Sequence, residues 1–144
     1  MTAEILRELP PHRHATIFFT TSGLALIPMP RAPNYSASKH ALRAFIIAVR
    51  RQLAEAKSPV KLVEILPPAV QTELHDDKHQ PEYKGKGSAI GAPLDEYIGN
   101  LFPRMLKGDE DEIGYELSAR ALEAIGKTQR MFSDKLPVGT GLPA

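Results

Sequence analysis

The chain has 144 residues, 42% of them hydrophobic and 24% charged, enough to bury one ordinary core and too apolar for a disordered segment. Its 18 Lys and Arg stand against 17 Asp and Glu for a formal net charge of +1, which excludes the basic surface of a nucleic-acid binder or of a protein drawn to anionic membrane. No cysteine is present, excluding disulfides and thiolate metal sites and fitting a cytoplasmic protein, and no apolar run approaches the roughly 18 residues of a membrane span.

In chain order, Ala3 to Leu9 reads as the last turns of a helix stopped by Pro10-Pro11, because a proline restricts the residue before it to extended conformations. The stretch from Met1 to Pro11 mixes charges with its leucines and lacks the apolar run of a signal peptide. Ala15 to Thr21 is uncharged and rich in β-branched and aromatic residues, as in a strand buried in a parallel sheet. Pro28, Pro30 and Pro33 mark a loop, after which Leu42, Phe45, Ile46, Val49 and Leu53 recur at helical spacing as far as Lys57. Val60 to Leu66 gives a second strand, closed by Pro67-Pro68, so that strand, helix and strand make a βαβ unit.

Beyond Thr72 the chain turns polar, and Gly85, Gly87, Gly91 and Pro93 mark a mobile loop. Leu94 to Leu106 forms a helix with Leu94, Ile98, Leu101 and Met105 along one face and Pro103 as a kink. Asp109 to Leu117 is a third strand by the alternation of Ile113, Tyr115 and Leu117, and Ser118 caps a last helix ending near Met131. Residues 1–136 read as one unit and 137–144 as a flexible tail.

Tyr35 and Lys39 are four positions apart at the start of the long helix, on one face and one turn apart. A free tyrosine titrates at about pH 10, and a neighbouring ammonium lowers that value, making the phenol usable as a proton donor and acceptor. A serine hydroxyl facing the same point would hold a substrate carbonyl oxygen while hydride reaches its carbon, and Ser22 is the candidate at the end of the first strand.

Thr20-Thr21-Ser22-Gly23, then Tyr35-Ser36-Ala37-Ser38-Lys39, then Pro67-Pro68-Ala69-Val70-Gln71-Thr72 together resemble three ordered motifs of the short-chain dehydrogenase/reductase family: its serine, its Tyr-x-x-x-Lys pair and its Pro-Gly-x-Val-x-Thr turn. The resemblance covers most of the chain. It implies an α/β, partial Rossmann-like fold of about three parallel strands with flanking helices. It implies Tyr35 as catalytic acid/base, Lys39 as its charge partner and a ribose ligand, and Ser22 as the hydroxyl that orients the carbonyl. Val70 and Thr72 would join Tyr35 and Lys39 as cofactor ligands, for NAD or NADP. The reaction implied is hydride transfer between that dinucleotide and an alcohol or carbonyl compound, with the loop Glu73 to Gly91 covering the substrate.

Departures from the family pattern bear on the cofactor. The opening strand, the glycine-rich turn and the Asn-Asn-Ala-Gly element that hold the rest of the dinucleotide do not occur here, so the resemblance implies a form lacking the N-terminal half. Phe19 and Thr21 replace the usual asparagine and serine, and Pro68 the usual glycine. The strand at Ala15 would then leave an apolar edge open to pairing with another chain. Two other readings stand beside the enzyme: an inactive remnant acting as an interaction partner, and a zinc site built on His75 and His79 with Asp76 beside the first. The apolar stripe of the long helix, residues 34–57, reads first as core packing, and the resemblance implies the same helix as the surface of a homo-oligomer where one forms.

Overall fold

The computed structural model of the protein describes residues 14–137. The expected helix at Ala3–Leu9 and all of the expected tail but Pro137 lie outside the described residues. Strand β1 spans Ala15–Thr20, helix α1 Pro33–Glu55 and strand β2 Val60–Leu66, in the order that the hydrophobic patterns predict. Pro33 occupies the first turn of α1, where its missing N–H costs nothing. The Ser36 hydroxyl donates to the Ala32 carbonyl at 3.0 Å and accepts from the Met29 N–H at 3.1 Å, which holds the incoming loop on the helix. Helix α1 ends at Glu55 rather than Lys57 because Lys57 turns into the left-handed region, at a φ of 49°.

Helix α2 spans Leu94–Lys107 and carries Pro103 inside it. Strand β3 spans Glu112–Gly114 only. Helix α3, Leu117–Ala121, runs through a π-helical turn, Leu122–Gly126, into α4, Lys127–Ser133. The third strand is shorter than its alternation suggests, because Glu116 adopts a φ of 47° and Leu117, exposed to solvent, already opens α3. Ser118 does not cap that helix from outside; it lies in its first turn, where its Oγ accepts from the Tyr115 N–H at 2.9 Å and donates to the Leu66 carbonyl at 2.7 Å. The loop after Thr72 holds three short 3₁₀ turns, at Glu73–His75, Pro81–Tyr83 and Gly87–Ala89.

The sheet has the order β1-β2-β3, all parallel. Alternate residues of β2 point to opposite faces, and the two faces are covered differently. Val63 and Ile65 pack with Tyr97 and Leu101 of α2 and with Ile113, while Leu66 packs with Leu26, Ala121 and Leu122. Helix α1 lies on this second face, where Arg43 meets Glu64, so the architecture is a three-layer α/β/α sandwich. Each fully buried Leu, Ile or Val stabilises it by roughly 1.5–3 kcal/mol. Helix α2 buries the face of Tyr97 and Leu101, whereas the expected Leu94 and Ile98 remain exposed. Of the expected stripe, Leu101 and Met105 do pack in the core, and the aromatic Tyr97, edge-on to Tyr115 at 5.6 Å, joins them in place of Leu94 and Ile98, so the buried face is rotated from the one that hydrophobicity alone selects. On the far side of β1 no strand pairs with it among the described residues, and Phe18 is exposed.

Candidate functional site

The carboxyl ends of β1 and β2 collect the polar chemistry, as expected for an open α/β sheet. At the end of β1, Ser22 is buried and its Oγ accepts from the Leu24 N–H at 3.1 Å, opening the 3₁₀ turn Gly23–Ala25. That bond uses a lone pair of the hydroxyl, and among the described residues its proton has no protein acceptor, so it is free to be donated. The next residue ties the two strand ends together: the Gly23 N–H donates to the Pro67 carbonyl at 3.0 Å.

Tyr35 and Lys39 stand on the first turns of α1. The Lys39 ammonium lies 5.7 Å from the centroid of the Tyr35 ring, within reach of a cation–π attraction, and donates to the Thr20 carbonyl at 3.1 Å. Tyr35 is 46% exposed, so its phenol is open to an incoming molecule. Lys39 is thereby brought to both Tyr35 and the strand end two residues before Ser22.

Val70 and Thr72 follow β2. Val70 forms a parallel bridge with Ala92, built from Ala92 N–H to the Ala69 carbonyl and Gln71 N–H to the Ala92 carbonyl, each 2.9 Å. Val70's own N–H and carbonyl take no part in that bridge and remain available to a ligand. The Thr72 Oγ1 accepts from the Leu74 N–H at 3.4 Å, capping the turn Glu73–His75. No hydrogen bond between described residues joins Val70 or Thr72 to Tyr35, Lys39 or Ser22.

The zinc reading fails on geometry. His75 Nδ1 pairs with Gln80 Oε1 at 2.7 Å and His79 Nδ1 with the Glu73 carbonyl at 2.9 Å. Among the described residues no group of three ligands converges on a metal, and no helix runs from His75 to His79 to hold the two rings on one face, since the 3₁₀ turn ends at His75.

Beside the site runs a feature that sequence reasoning missed. Arg43, one turn beyond Lys39, and Glu64, in the middle strand, are both 0% exposed and form an ion pair. Thr21, also buried, donates its hydroxyl to Glu64 Oε1 at 2.7 Å. Glu112 lies beside Glu64 in the sheet register, and Arg43 reaches it too, at 2.8 Å; Arg130 pairs with Glu112 from α4. Burial lowers the Arg43 guanidinium from the ordinary arginine value, and the charge of Glu64 opposes that shift. A groove of about 420 Å³ opens nearby, lined by Leu26, His40, Ala124, Ile125, Thr128 and Gln129; Ser22, Tyr35 and Lys39 are not in its wall.

Comparisons with known proteins bear on the family and the fold. The family described as short chain dehydrogenase matches residues 1–82. An uncharacterized oxidoreductase, DltE, of Bacillus subtilis is 30% identical over 125 residues, covering 85% of this chain and 44% of that protein. A second uncharacterized oxidoreductase, YbbO of Escherichia coli, is 33% identical over 82 residues, 57% of this chain and 30% of that one. Among solved structures, a short chain dehydrogenase from Burkholderia cenocepacia in complex with NADP superposes with a TM-score of 0.58 at 20% identity, covering 84% of this chain and 48% of that chain. The chain thus spans less than half the length of each of these proteins, and its fold is that of the solved one.

Proposed function

Because the chain belongs to the short-chain dehydrogenase/reductase family, we propose that it carries the catalytic part of an oxidoreductase that exchanges hydride between NAD or NADP and an alcohol or carbonyl substrate. The observation that carries this reading is the Lys39 ammonium set between the Tyr35 ring and the Thr20 carbonyl. The residues present suit the nicotinamide-ribose end of such a cofactor: the Val70 peptide groups left free by the Ala92 bridge match a carboxamide, and Lys39 and Tyr35 match ribose hydroxyls. Thr72 is the further ligand proposed on the same loop. When bound, the dinucleotide supplies or takes the hydride at the substrate carbon.

The remaining chemistry falls to this chain. In reduction, Ser22 donates its free hydroxyl proton as a hydrogen bond to the carbonyl oxygen, stabilising the charge that grows there. The Tyr35 phenol passes its proton to that oxygen, giving the alcohol. Lys39 stabilises the phenolate left behind. Oxidation runs the same steps backwards. The 3₁₀ turns between Glu73 and Ala89 are the proposed cover of the substrate, and a cytoplasmic home fits the cysteine-free composition.

Fluorescence titration with NADPH and NADH, followed by carbonyl reduction over a panel of aldehydes and ketones, tests the reading. Tyr35→Phe is expected to keep dinucleotide binding and lower kcat by roughly 10²-fold or more. A Tyr35→Phe chain as active as the wild type, or a wild type that neither binds nor reduces, would defeat it.

A second reading is favoured by the flank of α1 beside the unpaired edge of β1, where Phe45, edge-on to Phe19, is still exposed and Leu42 and Val49 are half-buried: association through this helix, either as a homo-oligomer or, for an inactive remnant, with a complete relative. Size-exclusion chromatography with and without a full-length relative separates these outcomes; a strict monomer in both removes the reading.

A further inference from the structure

Thr21, Glu64 and Arg43 are among the most deeply buried side chains of the protein, and no step of the proposed chemistry uses them. Burying a carboxylate and a guanidinium contributes little or nothing to stability compared with apolar residues of the same shape, since desolvation offsets their attraction. Their value lies in where they stand. Thr21 sits between Thr20, whose carbonyl accepts from Lys39, and Ser22. Arg43 follows Lys39 by one helical turn, on the same face of α1.

The contacts close a ring: from Thr20 to Lys39 at 3.1 Å, along one turn of α1 to Arg43, across the ion pair to Glu64, and back at 2.7 Å to Thr21. We propose that this ring is a positioning device, with Thr21, Glu64 and Arg43 fixing the strand end that carries Ser22 against the helical turn that carries Tyr35 and Lys39. A roll of α1 about its axis breaks either the Lys39 bond or the Arg43 pair, so two contacts on successive turns hold an orientation that neither holds alone. Main-chain pairing adds to this, as the Thr21 N–H donates to the Ile65 carbonyl at 2.9 Å. Arg43 also meets Gln129 and Glu112, which accounts for docking of the last helix but not for the Thr21 hydroxyl bond; Thr21 is therefore the residue that isolates the positioning role. The proposal rests on the catalytic reading of Ser22, Tyr35 and Lys39.

The test follows the Lys39 ammonium in the whole chain, by ¹⁵N-resolved proton exchange, in the wild type and in Thr21→Val, Thr21→Ser and Glu64→Gln. Thr21→Val and Glu64→Gln are expected to speed exchange at Lys39 by about fivefold, the equivalent of one hydrogen bond lost, with unchanged circular dichroism. Thr21→Ser, which restores the hydroxyl, is expected to match the wild type. Where carbonyl reduction is measurable, Thr21→Val lowers kcat by about tenfold at constant KM. Unaltered exchange in Thr21→Val, a shape-preserving change that keeps the fold even if Glu64→Gln does not, overturns the proposal; so does a wild-type Lys39 that exchanges as fast as free lysine. A wild type without turnover counts against the catalytic reading alone, because the exchange measurement does not depend on it.

Discussion

Lys39 reaches back along the chain to donate its ammonium to the main-chain oxygen of Thr20 at 3.1 Å, joining residues 19 apart in sequence. Its charge stays within 5.7 Å of the Tyr35 ring centroid while it does so. Replacing it with methionine keeps most of the length of the side chain and removes both interactions. Lys39→Met is expected to cost about 0.5–1.5 kcal/mol in urea denaturation and to reduce carbonyl turnover by roughly 10²-fold. Equal turnover in wild type and variant would take Lys39 out of the chemistry.

Arg43 and Glu64 make a sharper demand on stability. Arg43→Met leaves the Glu64 carboxylate buried without its main counter-charge, and the expected loss is about 3–5 kcal/mol. Removing both charges in Arg43→Met/Glu64→Leu is expected to recover most of it, because that pair no longer leaves a lone ion behind. Chemical denaturation of the two single variants and the double variant closes the cycle; a double variant as unstable as the worse single one would contradict the account.

Two glycines respond in opposite directions. Gly91 has a φ of +93°, and a Cβ there would lie 2.1 Å from the Ala69 carbonyl oxygen, so Gly91→Ala disrupts the Val70 bridge and is expected to cost more than about 1 kcal/mol. Gly99 lies within α2, where an added Cβ would meet nothing within 4 Å, so Gly99→Ala is expected to gain about 0.5–1 kcal/mol from helix propensity. Thermal unfolding of both, with the melting temperature falling for one and rising for the other, is the measurement.

Acid sensitivity follows from Glu110. Arg104 binds its carboxylate through both oxygens, at 2.7 and 2.5 Å, and that hydrogen bonding holds Glu110 below the ordinary value of 4.5, with burial opposing it. The folded state therefore binds this proton less readily than the unfolded one. Its contribution is complete above 4.5 and is lost as the pH falls beneath that value through the lower folded one. Arg104→Met should flatten the decline of stability with acid in this range. It also loses the bond to the Gly114 carbonyl at every pH, so the slope, not the level, is the diagnostic quantity.

Much of this was legible in the residues themselves. Val60 to Leu66 is a strand between Pro59 and Pro67 with the bounds that its pattern predicts, since prolines on both sides leave little freedom. Tyr35 and Lys39 fall on one helical face because a spacing of four admits nothing else once the helix exists. Arg43 and Glu64 were not legible. Arg43 reads as an ordinary charged residue on a surface helix, Glu64 as an interruption in an apolar strand, and only the packing of α1 over the sheet brings them together. For α2 the pattern was half legible: Leu101 and Met105 are packed as periodicity predicts, while the burial of Tyr97 against Tyr115 is a tertiary preference that periodicity does not encode.

The π-helical turn at Leu122–Gly126 has a consequence for how the last helix tolerates change in length. Such a turn accommodates one residue more than an α-helix needs, and here it brings Gly126 so near Arg43 that a Cβ would approach its Nη2 to 3.1 Å. Deleting a single residue from this turn would let the helix relax into regular α geometry and leave the faces after it nearly in place, because the widened turn already absorbs the extra residue. Gln129 and Arg130 would go on facing the guanidinium and carboxylate they now meet, whereas the same deletion just after Gly126, in regular helix, would turn them away by about 100°. The widened turn is where this helix can shorten without losing its hold on the centre.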